Sequence, residues 1–525
     1  MKQLPLGIQS FEDLRSNDCI YIDKTEIIHR IISDGKVYFL SRPRRFGKSL
    51  LVSTMEALFR GRKELFENLY IYDKWDWAQQ YPVIKIDWTR INHSTPENME
   101  TSLCRRLRDI AEEYGLTLRE ETSIDCFDKL ITLLHDRFDK KVVILIDEYD
   151  KPVTAHLFDS QLDQIRTAVH DFYQVMKGAD DYLRFVFLTG VSKFSGLSIF
   201  SALNNPQDIT LREEYAAICG YTQEELESNF SEYIDRAAEH LETTGKDLLE
   251  EIRYWYNGYT WDGKTAVYNP FSTMNFFQIR EFDNYWFSTG TPTFLMDIIR
   301  RRNCADTVLQ PVVVNGNVFK GYDPANISEV PLLFQTGYLT VKHKEMINKR
   351  ARYTLGVPNM EVEESFLTCL LEAYGKYSDM EVDKLRRTMQ QQITACDEAG
   401  FARSLEAMIA TVPYDLHIAR EAYYHSLMLI WMRLLGFSIH AEEHNSLGRA
   451  DAVWEQQNLT VVSEIKYGTN AETQNIESLL DEAMKQIHDR RYYNKYTGKI
   501  LLLGIAFAGK NVGCRMEELT ENTLY

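Results

Sequence analysis

Lys36-Val37-Tyr38-Phe39-Leu40-Ser41-Arg42-Pro43-Arg44-Arg45-Phe46-Gly47-Lys48-Ser49 is the stretch that decides the fold. Residues 36–41 are nearly continuous in apolar side chains, as a strand buried on both faces of a parallel sheet should be. Gly47-Lys48-Ser49 match the end of the pattern GxxxxGK[ST], and a helical run over 49–59 follows directly. A turn from strand to helix offers backbone N–H groups to phosphate oxygens at the helix N-terminus. In that setting Lys48 reaches the β- and γ-phosphates of ATP and Ser49 gives a hydroxyl to Mg²⁺. Arg42 stands where the pattern has its first glycine. Taken alone, the stretch also reads as a basic strand–helix turn with no ligand.

Working outward, three further runs rich in β-branched residues lie at 83–87, 142–146 and 184–189. Helical stretches such as 99–114 separate them. Strands alternating with helices predict an α/β fold, here a P-loop NTPase with a doubly wound parallel sheet. The 142–146 run ends in Asp147 and Glu148. Asp147 is expected to hold the Mg²⁺ and Glu148 to polarise the attacking water. The plainer alternative is a strand end capped by solvent-facing acids. A strand at 83–87 between the two motifs, with the adjacent Glu148, points to the additional-strand branch of P-loop ATPases. Thr189 ends the next strand and is expected beside the γ-phosphate, unless it only caps a helix or turn. The nucleotide-binding set is therefore Arg42, Arg44, Arg45, Phe46, Gly47, Lys48, Ser49, Asp147 and Thr189. Arg44, Arg45 and Lys193 are candidate sources of positive charge for the transition state. A neighbouring subunit often supplies such an arginine, which leaves a homo-oligomer open.

The chain's 525 residues suit two to four domains, and 44% hydrophobic with 12% aromatic residues suffices for real cores. A formal charge of −18 excludes a nucleic-acid binder held by its overall field. Any DNA or RNA contact needs a local basic groove or a divalent metal. The eight cysteines form no CxxC pair, so buried free thiols are expected and structural zinc is not. Glu12 and Asp13 interrupt any signal-peptide core, and the most apolar run, 500–508, falls short of the ~20 residues that span a bilayer. The expectation is a cytoplasmic protein with no membrane contact.

Beyond residue 210 the pattern changes. Residues 1–210 are assigned to the ATPase domain, 211–355 to a helical lid and 356–411 to a helical connector. Residues 412–525, with helix–strand–strand–helix–strand order, form a separate small α/β domain. That last domain carries a second set of chemistry-bearing residues. Asp451 precedes a predicted hairpin, and Glu464 and Lys466 lie on its return strand. With a turn at 455–458, Trp454 faces Leu459, Arg449 faces Glu464, and Asp451 shares their face with Lys466. Two carboxylates there can bind Mg²⁺ or Mn²⁺, and Lys466 can orient or deprotonate a water. Glu421 and His425 on the preceding helix, and Gln486 on the following one, are candidate supports. A cross-strand salt bridge on an exposed hairpin is the plainer reading of the trio.

In order along the chain stand Tyr21-Ile22-Asp23-Lys24-Thr25, the 42–49 loop, Asp147-Glu148-Tyr149-Asp150 and Gly190-Val191-Ser192-Lys193-Phe194. Leu203-Asn204-Asn205, Trp255-Tyr256-Asn257-Gly258-Tyr259, Tyr268-Asn269-Pro270-Phe271-Ser272 and Thr289-Gly290-Thr291-Pro292 follow. Tyr424-His425-Ser426, Gly448-Arg449-Ala450-Asp451 and Glu464-Ile465-Lys466 complete the series. This series resembles the bacterial AAA-ATPase-like proteins that carry a C-terminal PD-(D/E)xK nuclease domain, over almost the whole length. The resemblance implies a restriction-endonuclease-like α/β domain at the C-terminus and places an arginine at position 42 within the family's usual pattern. Two functions are expected on these grounds. In the first, ATP hydrolysis controls a phosphodiesterase acting on DNA or RNA. In the second, an ATP-driven switch carries a C-terminal domain that binds nucleic acid or a partner without cutting.

Overall fold

A computed structural model describes residues 1–157, 159–193, 206–288, 311–321, 329–366 and 379–411, and most of the C-terminal sheet domain from 438 to 519. In that last region 442–443, 446–447, 450–451, 457–458, 469–475, 497 and 509–510 fall outside the description. The described residues up to Glu363 form one compact unit and those from Glu364 onward a second.

The first unit is built on a five-stranded sheet: β1 (Val37–Ser41), β2 (Val83–Asp87), β3 (Val142–Asp147), β4 (Leu183–Gly190) and β5 (Gln207–Asp208). Its order is β2-β3-β4-β1-β5 and every pairing is parallel. Four of the strands appear at the expected places. β4 is inserted between β1, which leads into the 42–49 loop, and β3, which ends in the acids. β5 was not expected, because two edge residues leave no apolar run to read. The helix Pro96–Glu113 shows how local sequence sets the covering layer. Thr95 Oγ1 accepts from Asn98 N, Pro96 takes the first turn, and Met99, Leu103, Leu107 and Ile110 form the buried stripe.

Helices Gln223–Asn229, Ser231–His240, Gly245–Tyr256 and Pro270–Ile279 then pack around Leu226, Phe230, Leu248, Ile252 and Phe276. The helical reading of the middle region holds to that point. It misses a three-stranded antiparallel sheet, β6 (Val312–Asn315), β7 (Thr340–Ile347) and β8 (Arg350–Gly356), in the order β6-β8-β7. Much of β7 and β8 is exposed and charged, so no alternation of apolar and polar residues announces it.

The C-terminal sheet is mixed. β9 (Ser438–Ala441), β12 (Ala452–Gln456), β13 (Leu459–Gly468), β14 (Lys499–Ala508) and β15 (Asn511–Leu519) lie in the order β15-β14-β13-β12-β9, and β10 (His444–Asn445) pairs with β11 (Gly448–Arg449). β13 and β14 run parallel, joined through the helix Ile476–Arg490, which packs Met484 and Ile487 on Val462, Ile500 and Leu502. β9 and β15 extend the expected order by one strand at each edge. The hairpin register also differs from the expected one. Trp454 faces Val461, not Leu459, and Gln456 faces Leu459. Only two residues separate the strands, where four were expected. A shift of two keeps every side chain on its original face.

Among the described residues, no helix is long and apolar enough to cross a membrane. Six of the cysteines are described and are free thiols; five are buried, and Cys396 is exposed against expectation.

Candidate functional site

β1 ends at Ser41, and the chain then turns through Arg42–Phe46 into Gly47, which caps the helix Lys48–Phe59 with φ +86°. That left-handed geometry suits glycine and leaves the helix N-terminus with no side-chain cap, so its N–H groups remain open to an anion. Arg45, with φ +68°, takes the same strained region at a cost of about 1 kcal/mol. A cavity of about 380 Å³ opens in front of the turn, lined by Arg44, Arg45, Phe46, Gly47, Lys48 and Ser49 on one side and by Glu148 and Lys151 on another. Its volume falls in the ~300–1,000 Å³ range of small-molecule sites. Ile20, Ile22, Ile218, Phe271 and Met274 give it an apolar end.

Lys48 is almost fully buried. Its Nζ donates to Pro43 O at 3.0 Å and lies 3.3 Å from Glu148 Oε1. Glu148 sits at φ +52°, a second strained non-glycine residue at the cavity wall. Burial pushes its carboxyl up, but the charge of Lys48 and its hydrogen bond, joined by Arg44 and Lys151, outweigh burial and hold the pKa below the usual range. Asp147 behaves in the opposite way. Burial, with Glu148 nearby, raises it to about 6 against a hydrogen bond from Ser49 and the charge of Lys48. A hydroxyl beside a buried carboxylate of raised pKa is a set of hard oxygen donors that suits Mg²⁺, whose charge would offset the cost of burial.

The turn after β3 is tied to the tip of β4. Asp150 accepts from Val191 N at 3.2 Å and Ser192 N at 2.7 Å, and Tyr149 Oη donates to Ser192 O at 2.7 Å. Gly190 is obligatory there, since a Cβ would lie 2.3 Å from Asp150 Oδ1 and 2.6 Å from the Tyr149 ring. These ties fix Glu148 against the loop.

Three members of the expected set do not line the cavity: Asp147, which lies behind Ser49, and Arg42 and Thr189. Arg42 turns under the loop, where Nη1 donates to Ser41 O and Thr210 O, Nη2 donates to Tyr215 O, and the guanidinium lies 3.9 Å from the Trp261 ring centre. Burial lowers its pKa to about 10, so it stays cationic, but it serves as a buttress and not as a phosphate ligand. Thr189 is fully buried at the end of β4, paired with Leu40, and its carbonyl accepts from Tyr149 N. Phe46 lines the wall but is itself anchored edge-on against Tyr259 and Trp261 at 4.7 and 5.6 Å. Lys193 pairs with Asp208 and is drawn to β5.

Sequence reasoning passed over Lys24 and Lys151, which both line the cavity. Lys24 is buried and pairs with Glu225 through Nζ at 2.6 and 2.7 Å. Burial lowers its pKa and Glu225 partly restores it. A pair formed from residues so far apart leaves no local signal, whereas Lys151 stands close enough behind the acids to have been considered.

In the C-terminal sheet, β13 carries Glu464 and Lys466 two residues apart and so on one face. Val462, two residues before Glu464, packs against the helix Ile476–Arg490 on that same face. Glu464 is buried, and Lys466 Nζ donates to its Oε1 at 3.0 Å. The exposed-hairpin salt bridge is therefore not what these two residues form. Gln486 lies on that helix, half-buried, with Nε2 donating to Tyr492 Oη at 3.4 Å. Asp451, Glu421 and His425 lie outside the described residues. Among the described ones, no group of three His, Cys, Asp or Glu side chains is placed to hold a metal.

Residues 5–200 match the family described as Predicted AAA-ATPase, and residues 419–517 match the PD-(D/E)XK nuclease superfamily. A protein of Azotobacter chroococcum mcd 1, described as an uncharacterized protein in the vnfD 5′ region, is 36% identical over 519 residues, which cover 97% of this chain and 96% of that one. The chain belongs to this family of AAA-ATPase-like proteins with a PD-(D/E)XK nuclease-superfamily domain. Membership gives the two parts their classes: a predicted ATPase built on the parallel sheet, and a nuclease-superfamily fold built on the mixed one.

In this AAA-ATPase-like chain the aromatic motifs of the middle region divide by task. The Tyr256–Tyr259 segment and Trp261 brace the 42–49 loop, through Tyr259 against Phe46 and Trp261 against Arg42. Asn269 caps the helix Pro270–Ile279, accepting from Phe271 N, and so presents Phe271 and Met274 to the cavity.

Proposed function

We propose that this protein hydrolyses ATP at the Gly47–Ser49 turn and that turnover controls metal-dependent phosphodiester cleavage in its C-terminal domain. The observation that carries the reading is the Lys48–Glu148 ion pair at the wall of the cavity. Without nucleotide, Lys48 holds Glu148. A triphosphate offers Lys48 stronger, doubly charged partners, and Glu148 is then released to accept a proton from the attacking water. While it pairs with Lys48 its carboxyl is held ionised, and Arg44 and Lys151 go on favouring the charged form after Lys48 turns to the phosphates. Arg44, Arg45 and Lys151 border the same space and oppose the negative charge that spreads over the transferred phosphoryl oxygens. The apolar end receives the base. Ser49 and Asp147 would hold Mg²⁺, which supplies charge neutralisation for the phosphates.

In the C-terminal domain Glu464, with Asp451, would hold the divalent cation that polarises the scissile phosphate and its water. Lys466 orients that water or takes its proton. Glu421 and Gln486 support the arrangement, and the substrate is DNA or RNA.

Two substitutions separate the parts. Glu148→Gln should retain ATP and lose turnover, and Lys466→Ala should lose cleavage and keep turnover. Both are measured on the full chain with ATP, Mg²⁺ or Mn²⁺, and panels of DNA and RNA. Cleavage indifferent to Lys466→Ala would remove the nuclease assignment, and turnover indifferent to Glu148→Gln would remove the base. A cleavage rate identical with and without ATP would remove the control.

A further inference from the structure

The sheet that sequence reasoning missed bears an unusual charge. Between Thr340 and Gly356 stand Lys342, Lys344, Lys349, Arg350 and Arg352 against one acid, Glu345, in a chain whose net charge is −18. All five cations are exposed. Among the described residues none of them forms an ion pair, although Lys342 Nζ donates to Pro358 O and Lys344 lies over the Tyr353 ring.

Geometry makes this a projecting ribbon. β6 pairs with β8 only over Arg352–Leu355, so the turn end, with Ile347 opposite Arg350 and Met346 opposite Ala351, stands as two strands alone. Met346 is 64% exposed there, as a side chain with nothing packed on it would be. The turn residues Asn348 and Lys349 both have positive φ, 49° and 62°. Glycine is the favoured second residue of such a turn. A lysine at that position costs about 1 kcal/mol of backbone strain and sets a cation at the tip.

Protection of a sheet edge explains part of the charge. Lysines on an edge strand block pairing with another sheet, and β7 is an edge, which accounts for Lys342 and Lys344. It does not account for Arg352, which lies between β6 and β7 and is joined on its face by Arg350. Two residues apart, they share one face at a separation of about 6.8 Å, equal to two steps of ~3.4 Å along a nucleic-acid strand. Arginine is also the cation whose planar fork matches phosphate. At physiological salt the screening length is about 8 Å, so the acids elsewhere on the chain do not cancel the ribbon locally. Instead they leave it as the face a polyanion can approach.

We propose that the β7–β8 ribbon docks duplex DNA, its cations gripping backbone phosphates as the two-stranded element enters a groove wide enough to admit it. The major groove of B-DNA, about 12 Å wide, admits such a ribbon, whereas that of an RNA duplex is too deep and narrow. The proposal names the substrate of the nuclease-type domain, and rests on the nuclease reading only for the cleavage that comes after docking. Next to the ribbon, Arg253 and the 57%-exposed Tyr254 border a cleft of about 370 Å³ shared with Lys342 and Glu363, where burial lowers the pKa of Lys342 to about 8.

Docking is measured on the full chain in EDTA, by fluorescence anisotropy with a labelled DNA duplex across a range of salt. Wild type should bind, with log K falling linearly in log salt. Replacing Lys349, Arg350 and Arg352 together by alanine should weaken binding about tenfold or more and reduce that slope by about 2–3, roughly one per lost phosphate contact. ATP turnover and melting temperature should stay at wild-type values, because the three side chains are exposed and none of them lines the cavity. Arg350→Lys/Arg352→Lys should retain most of the slope. An unchanged affinity and slope in the triple alanine variant overturns the proposal, as does failure of wild type to bind duplex DNA at low salt. Tighter binding of an RNA duplex or an acidic protein, lost in the same variant, overturns it by giving the ribbon a different partner. Because binding is read without metal, it is independent of cutting. Docking with no cleavage in Mn²⁺ would sink the nuclease reading alone, and cleavage by a protein whose DNA binding the ribbon substitutions leave unchanged would sink the docking alone.

Discussion

The cavity before the 42–49 loop and the β13 strand both bury a glutamate against a lysine, and they do it by opposite means. Glu464 and Lys466 come from one strand, two residues apart, and the pleat alone brings them together. Glu148 and Lys48 come from different strand ends, and their meeting depends on the order of the sheet, a strained φ and a network that ties the β3 and β4 tips. The second pair is also set in a cavity, so its partners can be exchanged for those of a ligand. A pair fixed by local geometry endures as long as its strand does, whereas an assembled pair answers to its surroundings, as a switch requires.

The largest effect that sharpens this contrast is expected at Lys466. Removing one partner of a buried ion pair typically costs about 3 kcal/mol or more. Lys466→Ala should therefore lower unfolding free energy by about that much, read by denaturant titration, and Glu464→Gln/Lys466→Ala should recover part of it. A stable single variant would show that Glu464 draws its compensation from elsewhere.

Next in size is Gly190→Ala, which attacks the assembled pair from a distance. The new Cβ displaces Asp150 or Tyr149, with an overpacking cost of about 2 kcal/mol. ATP turnover should fall with stability because Glu148 sits on the same turn. Lost stability with normal turnover would break the link between the β4 tip and Glu148.

Legibility in the sequence divides along the same line. Strands β1 to β4, the glycine turn and the paired acids were legible because each is a local pattern: apolar runs, a phosphate turn, carboxylates at a strand end. The faces of Glu464 and Lys466 were legible too, since an error of two residues in register preserves the pleat. Long-range packing was hidden. Arg42 belongs to the loop by position, yet Trp261 and the carbonyls of Thr210 and Tyr215 draw its guanidinium beneath it. Lys24 meets Glu225 only after the helices of the middle region are in place. The β7–β8 ribbon escaped notice because its charge obscures any apolar period.

The last test falls on a third buried glutamate, which stands behind the cavity. Glu361 accepts from Ser272 Oγ and Trp286 N, both at 2.8 Å, and the Trp286 indole donates to Arg44 O at 3.3 Å. Burial pushes its carboxyl up to about 8, against the hydrogen bonds from Trp286 and Ser272. Folded protein thus holds this proton up to about pH 8, whereas the unfolded chain releases it near 4.5. Below pH 4.5 the contribution to stability is complete. It is lost as pH rises towards 8, because the unfolded state then binds fewer protons than the folded one, with a slope on the order of 1 kcal/mol per pH unit. In Glu361→Gln the amide oxygen can accept from Trp286 N and the NH₂ can donate to Ser272 Oγ, so the hydrogen bonds survive and the titration does not. The variant should match wild type near pH 5 and exceed it at pH 7.5 in chemical denaturation. Parallel pH profiles for the two proteins would mean that Glu361 is already ionised in the fold, and that the wall behind Arg44 holds its charge by pairing, as the other two glutamates do.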